Sequence, residues 1–170
     1  VSTSGDALSV GGTVNPTQIY IYDCNVEANG LATDNAVDIT TVTGGSSGVI
    51  FDNVNFRKPS GVPGVAANVV SGTLQGTGGT INGGQQTATA VQVSDGPNGY
   101  GRAWIKSSDI FGPVLATSAT APTNAAVIDI ANSQIRSATL QSVQDTTTGI
   151  VQVTDSYLQS GITGDIASSD

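Results

Sequence analysis

One short pattern recurs along this chain and constrains its fold more than any other feature. It reads apolar, any, apolar, any, a turn-forming residue, any two, apolar. Ile19, Ile21, Asp23 and Val26 carry it in IYIYDCNV, and Val49, Phe51, Asn53 and Phe56 in VIFDNVNF. Ala103, Ile105, Ser107 and Ile110 carry it in AWIKSSDI, Ile128, Ile130, Asn132 and Ile135 in IDIANSQI, and Val151, Val153, Asp155 and Leu158 in VQVTDSYL. Ala67, Val69, Ser71 and Leu74 read as a weaker sixth copy. The first two apolar positions lie two apart, so both point to one face of an extended strand. The Asn, Asp or Ser that follows tolerates a left-handed backbone or caps its own turn. The chain then bends, and the last apolar residue points inward from the next side. Each copy is one corner of a coil.

A second spacing supports the coil. Val37 and Ile39 precede Val49 and Phe51 by 12 residues, Val91 and Val93 precede Ala103 and Ile105 by 12, and Leu8 and Val10 precede Ile19 and Ile21 by 11. Two strands per coil, joined by a polar Gly-rich turn, fit these intervals. Copies start at irregular intervals of roughly 20–37 residues, so loops of variable length leave the coil between rungs. Stacked coils bury their inward residues on one another and pair their backbones above and below. The expected fold is all-β, a right-handed parallel β-helix of about five to six rungs and about 24–29 Å long. A β-sandwich is the alternative. Hairpin signals are scarce for it: of Asn29-Gly30, Asn82-Gly83 and Asn98-Gly99, only the last is closely flanked by strand patterns. Helix signals are weak, with a single Glu (Glu27) and no apolar helical periodicity free of Gly or Pro.

Composition narrows function by exclusion. The chain has no His, one Cys (Cys24), 22 Gly and only 5 Lys+Arg against 13 Asp+Glu in 170 residues. Without His there is no Ser-His-Asp triad, no Cys-His pair and no imidazole metal site. One Cys permits no intrachain disulfide and no thiolate zinc cluster. Five cations at net −8 argue against nucleic acid and against anionic membranes as partners. No apolar run is long enough to span a membrane, so no membrane insertion is expected. The length suits a single domain over residues 1–170. No signal peptide is legible and the chain starts at Val1, so it reads as a processed or excised piece of a longer fibrous protein.

The repeat over residues 19–158 resembles that of pectin-lyase-like parallel β-helix proteins. The His-free, Ser/Thr/Gly/Asn-rich composition resembles the shaft or body domains of phage tailspikes and tail fibres. That resemblance implies a structural segment of a virion appendage involved in host-surface attachment, extracellular or on the virion surface. It implies a homotrimer, contacts with neighbouring domains of the same fibre and contact with host surface polysaccharide. A carbohydrate-active β-helix, either a polysaccharide hydrolase or lyase or a glycan-binding module, is the alternative. A bacterial surface adhesin passenger is a further one. No enzymatic activity, cofactor or metal is expected.

Candidate sites follow from which residues face outward. Glycosidases place two carboxyls about 5–5.5 or 6.5–9.5 Å apart. Asp38 and Asp129 alternate with inward residues and point out, and Asp52 and Asp109 lie in or beside rung strands, although outward Asp also simply solvates a chain this poor in Lys and Glu. Lyase chemistry needs a clustered calcium site and a basic residue; no compact Asp cluster exists, and Arg57, Lys58, Arg102, Lys106 and Arg136 have no evident acidic company. Tyr20, Ile50 and Trp104 share one outward position, forming a stripe that serves as subunit interface or glycan platform unless a loop (57–66 or 111–122) covers it. Tyr22, Asp52 and Lys106 form the next column. Pro97–Arg102 reads as a protruding turn, the Gly76–Gly84 run lacks the Lys-Ser/Thr and helix of a phosphate loop, and Cys24 reads as a buried structural thiol.

Overall fold

A computed structural model describes residues 5–12, 18–28, 30–41, 48–62, 64–96, 99–118, 126–138, 141–147, 149–163 and 166–169. Over these residues the chain winds as an all-β solenoid of about five turns, without a helix. The first rung holds β1 (Leu8–Gly12), β2 (Gln18–Tyr22) and β3 (Asn25–Glu27). The second holds β4 (Val37–Thr41) and β5 (Gly48–Arg57), and the third is the single long β6 (Ala67–Asn82). The fourth holds β7 (Val91–Gly96), β8 (Gly99–Lys106) and β9 (Asp109–Phe111), and the fifth β10 (Val114–Ser118), β11 (Val127–Ala131) and β12 (Gln134–Arg136). The stack closes with β13 (Gln141–Thr147), β14 (Ile150–Thr154), β15 (Tyr157–Leu158), β16 (Gly161–Thr163) and β17 (Ile166–Ser169).

Rungs pair in parallel. Sheet A stacks β1, β4, the start of β6, β7, β10, β13 and β16. Sheet B stacks β2, β5, the rest of β6, β8, β11, β14 and β17. Among the described residues the one antiparallel ladder is the short hairpin Asp95↔Tyr100 and Gly96↔Gly99. A sandwich of antiparallel strands is therefore excluded, and the spacing of 12 between strand pairs is the step from sheet A to sheet B.

The corners are where the repeat predicted them. Asp23, Asn53, Ser107, Asn132 and Asp155 have φ between 47° and 51° and are the non-glycine residues with positive φ among the described ones. A left-handed residue turns the strand through the angle a coil needs, and Asn, Asp or Gly reach it at least cost. The third rung corrects the repeat's sixth copy. Val49, Phe51 and Phe56 stand over Leu74, Gly76 and Ile81, so that rung's copy is Leu74, Gly76, Gly78 and Ile81, with Gly78 at the corner (φ 70°). Ala67 and Val69 belong to sheet A instead. Two glycines at apolar and turn positions hid this copy.

The bore is lined by columns read straight from the register. Val49, Leu74, Ala103, Ile128 and Val151 form one; Phe56, Ile81, Ile110 and Ile135 another; Val37, Ala67, Val91 and Val114 a third, all closed to solvent. Phe51 and Phe56 meet edge to face with ring centroids 5.3 Å apart. Gly76 makes room for them: a Cβ there would lie 2.5 Å from Phe51 Cγ and 2.2 Å from Phe51 O. Past the corner a serine ladder ties rungs together, Ser108 N–H donating to Ser133 Oγ (3.2 Å) and Ser133 N–H to Ser156 Oγ (3.1 Å). Cys24, expected to be buried, is half-buried and packs on the core beside the first corner.

Candidate functional site

Sheet B presents three outward columns to solvent. The central one runs Tyr20, Ile50, Gln75, Trp104, Asp129 and Gln152. The expected stripe residues do share this column, but Gln75 stands between Ile50 and Trp104, so the apolar run is interrupted. Tyr20 is exposed, and Ile50 and Trp104 are half-buried. The flanking column runs Tyr22, Asp52, Thr77, Lys106 and Ala131. The other flank runs Gln18, Gly48, Thr73, Arg102 and Val127.

Two hollows lie on this face. The larger, about 650 Å³, is lined by Tyr22, Ile50, Asp52, Gln75, Thr77, Trp104, Lys106 and Asp129, with Phe51 and Gly76 at its floor. Gly76 occupies an inward position with no side chain, where a Cβ would lie 2.2 Å from Phe51 O, so the larger hollow is lined there by backbone alone. The smaller hollow, about 130 Å³, lies on the other side of the central column, between Gln18, Gly48, Thr73, Gln75, Ile50 and Trp104. Gly48 lines it with backbone alone, since a Cβ there would strike Thr73 O at 2.3 Å. Trp104, Gln75 and Ile50 line both.

Trp104 is braced from within its own strand. Tyr100, Arg102 and Trp104 alternate onto one face of β8, and the Arg102 guanidinium lies 4.5 Å from the Tyr100 ring centroid and 5.7 Å from that of Trp104. Arg102 also donates to Tyr100 Oη. Tyr100 and Arg102 belong to the turn expected to protrude, and their alternation with Trp104 in the sequence is the signal for this brace. Pro97 and Asn98 of that turn lie outside the described residues, as do 119–122 of one expected covering loop. The other loop, 57–66, contributes no described residue to either hollow.

The carboxylates disperse. Asp38 is on sheet A, where its carboxylate accepts from Asn68 Nδ2 (2.7 Å) and Thr40 Oγ1 (3.0 Å), while Asp129 is on sheet B. Asp52 shares the larger hollow with Asp129 but lies three rungs away, about 14 Å at the rung spacing, beyond either glycosidase separation. Asp109 lies 3.9 Å from Arg136. Among the described residues no group of three potential metal ligands occurs.

The expectation that the cations lack acidic company is corrected at three positions. Arg57 pairs with Glu27 one rung below, and Arg136 with Asp109. Lys58 is buried, and its ammonium donates to Leu31 O (2.7 Å) and to Asp34 O. Burial lowers the Lys58 pKa, against the opposing pull of Asp34 and Asp6. The Asp34 carboxyl is held below its usual range by backbone N–H bonds from Gly5 and Leu31, helped by Lys58. This cluster pins loop 58–66 to loop 30–36 and lies outside both hollows.

Comparison with family models, curated proteins and solved structures finds no match for the chain.

Proposed function

We propose that this chain is a structural β-helical segment of an extended surface appendage of the tailspike or tail-fibre kind, extracellular or on a virion, that takes part in attachment to a host surface. One observation carries the reading: the corner residues Asp23, Asn53, Gly78, Ser107, Asn132 and Asp155 stack in one column from rung to rung. Inward positions serve packing, corner positions serve turning, and the Asn and Ser side chains near the corners bond to the next rung. Asn53 Nδ2 donates to Asp23 (2.8 Å) and Asn55 Nδ2 to Asn25 (2.7 Å). Such a molecule is a rod whose side chains specify its own continuation, and only its outer faces are left for other work.

Assembly as a homotrimer belongs to this reading. Gln75, Asp52, Lys106 and Asp129 interrupt the aromatic face of sheet B, which argues that trimer contacts use another face. Light scattering on the chain in solution tests the assembly. The reading expects three copies of the 16.9 kDa chain, about 51 kDa; a monomer at all concentrations contradicts the trimeric appendage.

A further inference from the structure

We propose that the paired hollows on sheet B form a binding site for an extended, uncharged oligosaccharide. The proposal rests on the attachment reading above and names the ligand of its free face.

Size comes first. The two hollows flank the central column, and their outer walls are set by residues 18 and 22 of one strand. Four residues of strand span about 13 Å, the scale of a short run of pyranose rings laid along the strands, across the three outward columns. Trp104, Gln75 and Ile50 form the ridge between the hollows. A chain that passes from that ridge into the larger hollow has the Trp104 indole and Tyr22 along its wall, three rungs apart.

Chemistry comes next. A sugar ring offers C–H groups on one face and hydroxyls around its rim. The first stack on aromatic surface, and the second need donors and acceptors in the same plane. Trp104, Tyr22 and Ile50 supply the apolar surface. Gln75, Thr77, Gln18 and Thr73 supply uncharged groups that donate and accept, and Lys106, Asp52 and Asp129 supply the charged ones.

Charge selects the class. Arg102 and Lys106 lie on this face opposite Asp52 and Asp129, so the local sum is zero in a chain of net −8. A polyanionic glycan meets no positive surplus here and is repelled by the rest of the molecule. A neutral glycan fits both the balance and the mixed polarity. Preorganisation helps: Arg102, bonded to Tyr100 and stacked beside Trp104, holds the indole, so binding freezes little.

The chain has a single Trp, so emission reports on this site alone. The test titrates the chain with cellohexaose, maltohexaose, laminarihexaose and mannohexaose, with hexagalacturonate as the anionic arm. The expected result is a saturable change in Trp104 emission with at least one neutral hexaose and a dissociation constant below about 1 mM, and none with hexagalacturonate. By calorimetry, Trp104→Ala weakens that binding at least tenfold. Lys106→Ala, at an exposed position that leaves packing untouched, weakens it severalfold, and Tyr157→Ala, an exposed aromatic outside the hollows, leaves it unchanged. Silence with all four neutral sugars, preference for hexagalacturonate, or binding indifferent to both Trp104→Ala and Lys106→Ala overturns the proposal. Conversion of a trimer to a monomer by Trp104→Ala overturns it too, since the face is then a subunit interface. A monomer that binds a neutral hexaose keeps this site and removes only the trimeric appendage.

Discussion

Asn132 offers a clean measure of what holds the coil together. It sits at the fifth-rung corner with φ 49° and an exposed side chain. Its backbone N–H donates to Thr154 O at 3.1 Å, a bond that every substitution except Pro retains. The effect of replacement is therefore mainly conformational. Holding an ordinary L-residue in the left-handed region costs about 1–2 kcal/mol, and more for a β-branched one. Gly carries no such strain but loses about 0.4–1 kcal/mol through the unfolded state. Asn132→Gly is thus expected within about 1 kcal/mol of the parent, Asn132→Ala about 1 kcal/mol below it and Asn132→Val about 2 kcal/mol below. For a chain of this size those become losses of roughly 2–4 °C for Ala and 4–8 °C for Val in Tm. Thermal melts followed by far-UV circular dichroism read the order directly. Gln152→Val, on the exposed outward face of β14, is the control for valine itself and is expected to melt near the parent. If Asn132→Val melts with the parent, or Asn132→Gly melts below Asn132→Val, residue 132 is not left-handed and the corner column is wrong.

Two further predictions concern the bore and the buried cluster. Phe51→Ala removes a closed ring that faces both Phe56 and Gly76; the cavity is expected to cost about 3–5 kcal/mol, read as a fall of roughly 6–20 °C in Tm. The Lys58 ammonium is held with a lowered pKa, so between its folded pKa and 10.5 the unfolded chain binds more protons, and the Lys58 contribution to stability rises with pH there. Asp34 has the opposite origin and its own window: its lowered pKa gives stability that is full above 3.8 and is lost as pH falls through the folded value. Urea midpoints across pH are expected to show Lys58→Met losing the alkaline rise and Asp34→Asn losing the acid fall; parent-like profiles in both variants contradict the cluster.

Much of the fold was legible because a strand has period two and a coil corner has one demanding residue. Asp23, Asn53, Ser107, Asn132 and Asp155 could be picked out in the sequence because few other residues turn left-handed there. The third rung was misread because Gly76 and Gly78 removed the apolar and polar side chains that mark a copy. Register was legible only in part: loop lengths differ, so successive sheet-B steps (Ile19 to Val49, Val49 to Leu74, Leu74 to Ala103) span 30, 25 and 29 residues. The sequence therefore placed Tyr20, Ile50 and Trp104 in one column without revealing that Gln75 interrupts it. The hollows were not legible at all. Both are lined in part by glycine backbone, at Gly48 and Gly76, and the side chains around those glycines come from neighbouring rungs that lie far apart in sequence. The Lys58 cluster joins loops 24 to 27 residues apart, a distance at which no local pattern signals a contact.

The register between rungs sets the corners, the bore columns and the outward face alike, and cysteine pairing measures it. In a Cys24→Ser background, Asn25→Cys with Asn55→Cys and Thr77→Cys with Lys106→Cys join residues that stand directly over one another. Neighbouring strands lie about 4.8 Å apart, inside the 4.4–6.8 Å range of Cα separations that a disulfide spans. Asn25→Cys with Arg57→Cys is the same pair slipped by two residues, about 8 Å apart at the strand rise and spacing. Mass spectrometry after mild oxidation is expected to show both in-register pairs closed within single chains and the slipped pair open. A slipped pair that closes while the in-register pairs stay reduced would contradict the stacked coil.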